Sequence, residues 1–326
     1  MKIIKQTSTD PYFNLATEQY ILETMTEPTF MLWRNEPCVV IGRNQNAYGE
    51  INIEYTKEKN IKVSRRLTGG GAVFHDLGNV NFSFFDKSRE ENTLDFKGFT
   101  APIIKALCDM GLNAELSGRN DITVNGYKVS GNAQCVYNGN ILSHGCILYN
   151  ADLSFVAGAL NVDKEKLKSK GIDSVRSRVT NIADLLENPM STVDFISYLE
   201  SYVDGEIYTF TDREIAEINK LNAEKYATWD WIWGRSKEYS TVNKERFPFG
   251  SVEVSLSVNN GIINDISFTG DYFSFKDVSE LEKSMLGIRY DYDEILKAVF
   301  DCGEYFSNSN PEQIAKLIYK NDGGNQ

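Results

Sequence analysis

Three consecutive glycines occupy residues 69–71, inside the stretch "RRLTGGGAVFHDLGNVNFSFF" (residues 65–85). A triple glycine between two strand-like runs lets backbone N–H groups approach a ligand closely. The arginines beside it supply charge for phosphate or carboxylate. The stretch therefore reads as an anion-binding loop inside a sheet, with a tight hairpin carrying a charged flank as the alternative. It is not a Walker loop, since no Gly-Lys-Ser/Thr ending follows, and it lacks the dinucleotide fingerprint G-x-G-x-x-G.

Around this loop, helical and strand patterns succeed one another without regular βαβ alternation. After Asp10-Pro11, "YFNLATEQYILETM" places Phe13, Ala16 and Tyr20, with Leu15 and Ile21 as further candidates, at helical spacing and closes before Pro28. Two β-rich runs, 30–33 and 38–41, flank an Asn-Glu-Pro turn, and Gly42, Arg43 and Asn44 leave the second as a polar loop. A short helix over 53–59 leads to "IKVSRR", the glycine loop and "NVNFSFF", where Val80, Phe82 and Phe84 share one face. A helix over 99–110 ends at Gly111 as at a C′ glycine, and three further β-rich runs follow. Beyond Ala151 come a helix, a basic stretch holding Lys164, Lys166, Lys168, Lys170, Arg176 and Arg178, and helices over 193–202 and 212–225. The basic stretch suits either a solvated loop or a mobile lid. Trp229, Trp231 and Trp233 alternate and are expected to pack the domain edge. Residues 235–246 read as a linker, and the remainder as a hairpin turning at 259–261 followed by three helices. The expected architecture is α+β: a large domain over residues 1–245 and a smaller α+β module over residues 246–326.

A net charge of −12 argues against non-specific binding to nucleic acid or an anionic membrane, although an acidic chain can hold a local basic pocket. No apolar run approaches the ~20 residues that cross a bilayer, and the N-terminal stretch lacks a signal-peptide core, so a cytoplasmic location is expected. Five cysteines without C-x-x-C spacing indicate neither a zinc site nor a disulfide framework. Most should be small buried hydrophobes. Two histidines are too few for a polyhistidine metal centre.

Asn125-Gly126 is a strong two-residue hairpin signal. With those residues in the turn, Thr123 lies opposite Lys128 and Asp121 opposite Ser130. Alternation then puts Asp121, Thr123, Lys128 and Ser130 on a polar face and Ile122, Val124, Tyr127 and Val129 on a core face. Lys128, flanked by small polar residues and diagonal to an aspartate, suits a positioned cation. An exposed strand face would show the same alternation.

"RRLTGGGAVFHDLGN", followed in order by "GRNDITVNGYKVSGNA", "SHGCILYNADLS" and "KGIDSVRSRVTN", resembles bacterial lipoate–protein ligase A over nearly the whole chain. The C-terminal module resembles the accessory domain of the long ligases. The resemblance implies a large mixed-sheet domain of the biotin/lipoate ligase type and a two-step, ATP-dependent reaction. Lipoate and Mg-ATP would form lipoyl-AMP, and the lipoyl group would pass to a lysine of a lipoyl domain. Implied carriers are the E2 subunits of 2-oxoacid dehydrogenases or the glycine-cleavage H protein. Neither nucleic acid nor membrane is an implied partner, and a monomer is expected.

Carried over residue by residue, Arg66 matches the family arginine at the nucleotide, and Gly71, Ala72, Val73 and Phe74 match the backbone run along ATP. Lys128 matches the central catalytic lysine, which contacts both the lipoate carboxylate and the α-phosphate. Asp121 is the candidate for magnesium, or for orienting Lys128. Arg65, Thr68, Gly69, Gly70, His75 and His144 are expected to line the lipoate side, with Trp33 giving apolar surface. His75 suits a general base for the acceptor lysine or a hydrogen-bonded structural histidine. The basic segment matches the adenylate-side loop. Leu67 departs from a position often polar in the family, between the retained Arg66 and Thr68. The nearest rival is an octanoyl or lipoyl transferase of the same fold, which works through a cysteine thioester. It is disfavoured because no cysteine lies between Cys146, in the middle of an apolar strand, and Cys302. A biotin ligase is disfavoured because the lysine hairpin and "SVRSRVTN" resemble the lipoate branch, and a non-catalytic lipoyl-domain binder by the retained Arg66, triple glycine and Lys128.

Overall fold

The computed structural model describes residues 1–87, 94–160, 179–234, 241–259 and 261–319. The basic residues Lys164, Lys166, Lys168, Lys170, Arg176 and Arg178 lie outside these. Eleven strands of the described residues form the larger unit: β1 (Lys2–Lys5), β2 (Thr29–Trp33), β3 (Cys38–Ile41), β4 (Lys62–Arg65), β5 (Val73–His75), β6 (Asn79–Lys87), β7 (Ala114–Ser117), β8 (Asp121–Val124), β9 (Tyr127–Tyr137), β10 (Asn140–Leu148) and β11 (Glu206–Tyr208). Eight of them make one mixed sheet in the order β11-β1-β2-β6-β10-β9-β8-β7, and β4-β3-β5 make a second. This is the α+β, mixed-sheet architecture expected.

Alternation divides the large sheet between two cores. Phe30, Leu32, Val80, Phe82, Phe84 and Ile147 pack on one side with Ile103 and Leu107 of the helix Phe96–Asp109 and Phe195 of the helix Thr192–Glu200. Met31, Trp33, Phe85 and Leu142 pack on the other with the helix Pro11–Thr24. That helix starts where Asp10 Oδ1 accepts from the Tyr12 N–H (3.0 Å) and Pro11, which has no N–H to leave unsatisfied, opens the first turn. Its buried face carries Leu15, Ala16, Ile21 and Leu22, with Asn14, Thr17 and Glu18 among them. Phe13 and Tyr20, expected on that stripe, are only half-buried.

The glycine loop is not a hairpin. β4 runs parallel to β3 and β5 antiparallel to it, on opposite sides, so the loop carries the chain across β3. The Trp-rich segment forms a short helix, Trp229–Ile232, clamped to the end of β4. Arg65, 1% exposed, donates from Nε to Trp231 O (2.8 Å) and from a terminal nitrogen to Ile232 O (2.6 Å), and Trp231 Nε1 donates back to Arg65 O (2.8 Å).

The compact units divide between Gly234 and Arg235 rather than at 245/246. The physical reason is that part of the expected linker is β12 (Thr241–Phe247), paired with β13 (Gly250–Asn259), which pairs in turn with β14 (Ile262–Gly270). Helices Val278–Ser284, Tyr292–Ala298 and Pro311–Ile318 cover this sheet around Phe268, Met285, Ile295, Phe306 and Ile314. Two loops, Gly42–Asn46 and Thr68–Gly71, group with this smaller unit. Within it, Gly70 N donates to Tyr272 O (3.3 Å) and Arg43 pairs with Asp277 (2.6 Å). A Cβ on Gly69 would lie 2.2 Å from Tyr272 O, so this position excludes any side chain. Among the described residues no helix is long and apolar enough to cross a membrane.

Arg65→Met strips two buried carbonyls of a charged donor and should lower the free energy of unfolding by about 2–4 kcal/mol. An unchanged denaturant midpoint would contradict the clamp.

Candidate functional site

Residues opposite one another in a ladder point to the same face, so strand register alone assembles a row of side chains. Trp33 of β2 pairs with Asn81 of β6, Asn81 with Cys146 of β10, Cys146 with Gly131 of β9, and Gly131 with Asp121 of β8. A second row beside it runs from Met31 through Ser83 and His144 to Ala133. Four strand spacings of ~4.8 Å separate β2 from β8, so the first row spans roughly 19 Å. One end is apolar and the other charged.

At the charged end, Lys128 Nζ lies 2.8 Å from Asp121 Oδ1, each side chain partly open to solvent. The register differs from the one expected. Thr123 does pair with Lys128, but a bulge shifts the partners so that Ser130 opposes Ile122 and Asp121 opposes Gly131. The extra residue, Val129, is buried in the core, and Tyr127, expected to face the core, is 49% exposed. Thr123 and Ser130, expected on an open polar face, are buried as well. The bulge brings the lysine over a residue that has no side chain: a Cβ on Gly131 would lie 3.0 Å from Lys128 Nζ. The Lys128 backbone is also tied down, since its carbonyl accepts from the Thr180 N–H (3.1 Å). Asn181 then exchanges two 2.9 Å hydrogen bonds with the Ala151 backbone.

At the apolar end, Trp33 Nε1 donates to Ser83 Oγ (2.8 Å), and Ser83 Oγ donates to Glu18 Oε1 (2.6 Å). His144 Nδ1 lies 2.8 Å from the same carboxylate oxygen. Glu18, 2% exposed, joins three of the strands and was not picked out from sequence. Its signal was there: a charged residue on the buried stripe of an amphipathic helix needs a partner. The same signal marks Asn14, one turn earlier.

Arg66 is buried, donates to Val40 O (3.1 Å), and has its pKa lowered to about 10 by burial, against the opposing pull of Glu18. Burial likewise holds His75 neutral by lowering its pKa to about 3, with Arg66 and His144 adding to the effect. The Cys146 thiol is pushed up to about 12 by burial, partly offset by the Asn79 amide that donates to Sγ (3.2 Å). Trp33 meets the His75 ring edge-to-face at 6.3 Å. Phe74 stacks on Phe155 (5.6 Å), and Ala72 and Val73 are half-buried.

The larger unit therefore brings Trp33, His144, Asp121 and Lys128 to one face of the large sheet. Arg65 uses its guanidinium on the 229–232 helix, and Thr68, Gly69, Gly70 and Gly71 belong to the smaller unit. Among the described residues no three acidic, histidine or cysteine side chains cluster as metal ligands. Asp121 is the carboxylate beside the lysine.

Comparison with known proteins follows this division. Residues 10–204 match the model of the lipoyl protein ligase A/B catalytic domain, and residues 236–318 match that of the bacterial lipoate protein ligase C-terminus. The chain is 42% identical to lipoate-protein ligase LplJ of Bacillus subtilis, covering 97% of this chain and 99% of that one. It is 39% identical to lipoate–protein ligase 1 of Staphylococcus aureus, over 98% and 100%. Among solved structures, P. falciparum LipL1 in complex with lipoate superposes with a TM-score of 0.82 at 26% identity, covering 98% of this chain and all of that one. A lipoate-protein ligase A bound with ATP superposes with a TM-score of 0.61 at 27% identity, over 72% and 98%.

Two measurements check the electrostatics. The unfolded chain takes up a proton on His75 below pH 6.5 while the folded chain does not, down to about pH 3. The stability it contributes is complete above pH 6.5 and lost progressively as pH falls toward 3. His75→Gln should therefore flatten the fall of the unfolding midpoint between these limits; the same slope in both proteins would contradict a buried neutral ring. Of the five cysteines only Cys108 is exposed, so native protein should show one rapidly alkylated thiol, with the half-buried Cys146 reacting more slowly because its thiol is kept protonated.

Proposed function

The chain belongs to the lipoate–protein ligase family, and on that premise we propose that Lys128 carries an ATP-dependent transfer of lipoate to a lysine of a lipoyl-domain carrier. The observation that carries this reading is the position of the Lys128 ammonium, beside Asp121 at one end of a row that ends in Trp33. In the first half-reaction a carboxylate oxygen of lipoate attacks the α-phosphorus of ATP. A P–O bond forms, the bond to the β-phosphate oxygen breaks, and pyrophosphate leaves. In the second, the acceptor amine attacks the acyl carbon, a C–N bond forms, the bond to the AMP oxygen breaks, and the amine gives up a proton.

Both steps gather negative charge around one acyl–phosphate junction. An ammonium aimed there draws two anions together and then stabilises the charge that develops, and it gains strength where water is excluded. Arg66 and the backbone of Gly71, Ala72, Val73 and Phe74 are assigned to the nucleotide. Trp33, Arg65, Thr68, Gly69, Gly70, His75 and His144 are assigned to the lipoate side, Arg65 through the strand end that it anchors. Magnesium enters as Mg-ATP, already held by the triphosphate, and a single carboxylate such as Asp121 is enough to meet it. One chain carries every residue in this scheme, so the proposal needs no second copy. Carriers on this reading are E2 lipoyl domains or the glycine-cleavage H protein. A thioester route would need an activated thiolate, and Cys146 is held protonated by burial.

The direct test is lipoate-dependent exchange of pyrophosphate into ATP, whose absence from folded protein supplied with magnesium would sink the ligase reading. Lys128→Ala should reduce this exchange by about 10²–10³-fold. Gly131→Ala is a milder probe, because the added methyl group crowds the flexible end of Lys128 and meets Asp121 Oδ1 only at ordinary contact distance (3.9 Å). Stability should stay within about 0.5 kcal/mol, while exchange falls about 10–100-fold as the ammonium is pushed aside. Wild-type exchange in that variant would remove the positional role given to the lysine. The net charge of −12 adds a prediction for acidic carriers: moderate salt should leave the transfer rate unchanged or raise it weakly. A steep loss with salt would contradict docking through local shape.

A further inference from the structure

We propose that Asn81 is a specificity-determining residue, whose side-chain N–H donates a hydrogen bond to a sulfur of the bound lipoate's dithiolane ring and so favours this acid over sulfur-free acids of the same length. Asn81 is 2% exposed and lies in the row of side chains on the large sheet, register-paired with Trp33 on one side and Cys146 on the other. Its Nδ2 has no hydrogen-bond partner among the described residues. The polar groups around it are already engaged. Ser83, two residues along β6 on the same face, accepts from Trp33 Nε1 and donates to Glu18. Asn79, two residues the other way, donates to Cys146 Sγ (3.2 Å), and its Oδ1 accepts from the Asp76 N–H (2.8 Å). A buried donor left unpaired costs free energy, which a ligand with a lone pair at that point returns.

The position of Asn81 along the row decides which part of the ligand it meets. The inference rests on the proposed function for one point, that the lipoate carboxylate lies at Lys128. That ammonium stands over Gly131 of β9, where a Cβ would lie 3.0 Å from Nζ. β10 lies between β9 and β6, so Gly131 and Asn81 are separated by two strand spacings, roughly 10 Å. Trp33 is one spacing further on. Each C–C bond of ~1.5 Å advances an extended chain by about 1.25 Å, which puts the first sulfur of lipoate about 8 Å from its carboxyl carbon. A chain laid from Lys128 toward Trp33 therefore brings its sulfurs over β6, at Asn81, and its ring toward the indole.

Divalent sulfur is a weak acceptor, and the neighbouring Asn79–Cys146 pair is a carboxamide–sulfur hydrogen bond of the same kind. A dithiolane has lone pairs and no hydrogen to donate, so of the two ends of the Asn81 amide it selects the N–H. Octanoate spans the same length but presents only C–H groups at β6 and leaves the amide unpaired. One hydrogen bond to a weak acceptor yields a modest preference, about fivefold, and not the steep rejection that a buried hydroxyl partner gives.

The experiment is a cycle of two acids and two proteins, run on the full chain. Pyrophosphate exchange is followed as a function of the concentration of lipoate and of its cyclopentane analogue, in which methylenes replace both sulfurs and the ring stays the same size. The preference of the wild type for lipoate in kcat/KM should exceed that of Asn81→Leu, which has the same bulk and no donor, by about fivefold, or about 1 kcal/mol. Equal preferences in the two proteins overturn the inference. The same difference should appear in the Kd values of the two acids measured by calorimetry without ATP, a readout that needs no turnover. Exchange that depends on lipoate and on Lys128, with equal preferences in the two proteins, leaves the ligase reading standing and removes only this one. Stability supplies a second check. An amide without a partner in the protein lends nothing to folding, so Asn81→Leu should unfold at the wild-type denaturant midpoint or above it; a lower midpoint means that the amide is already paired and overturns the inference.

Discussion

Antiparallel pairing from β2 through β6, β10 and β9 to β8 decides which side chains can meet, and the site follows from it. A shift of one residue in any of these ladders would turn Trp33, Asn81, Cys146, Gly131 and Asp121 to opposite faces. The apolar residues on the reverse face hold the register, because Val80, Phe82 and Phe84 would be forced into a polar layer by the same slip. Stability and site geometry are thus controlled by the same hydrophobic pattern. The bulge at Val129 is the one interruption, and it serves the lysine. Ordinary pairing would set Asp121 against Ser130; the bulge sets it against Gly131 and frees the space that Lys128 enters.

Buried polar groups form the second layer of organisation. Glu18 accepts from Ser83 and meets His144, while Asn14 and Asn35 fix the ring of His75. Glu18 and Asn14 come from one helix, Pro11–Thr24, so a single amphipathic element supports both histidines. Charged and amide groups at such depth are costly unless each partner is in place, and satisfied networks hold a unique arrangement. The two histidines consequently have different surroundings: one faces a carboxylate, the other an amide relay and a nearby guanidinium.

The strands and helices flanking the site were largely legible. Asn125-Gly126 set the hairpin, with φ of 52° and 83° that suit those two residues, and Gly111 stops its helix at φ 86°. Lys128 and Asp121 were found as a pair because a two-residue turn fixes nearby register. The bulge was not legible, since alternation across four residues cannot reveal an inserted one, and so Ser130 was placed opposite the wrong partner. β5 was missed because three residues, Val73–His75, are too short to show a period. The bonding of Arg65 depends on Trp231, 166 positions away, and no local pattern reports such a contact.

Sequence alone determined the family, the mixed α+β architecture and the lysine hairpin, because each rests on short-range chemistry: turn residues, period and motif order. Tertiary structure decided what those residues are free to do. It committed the Arg65 guanidinium to backbone carbonyls, set Lys128 over Gly131, held Cys146 protonated and set the Asn35 side chain against His75 Nδ1. Each of these depends on which distant groups are buried together and which hydrogen-bond partners remain, and a linear pattern carries no record of either.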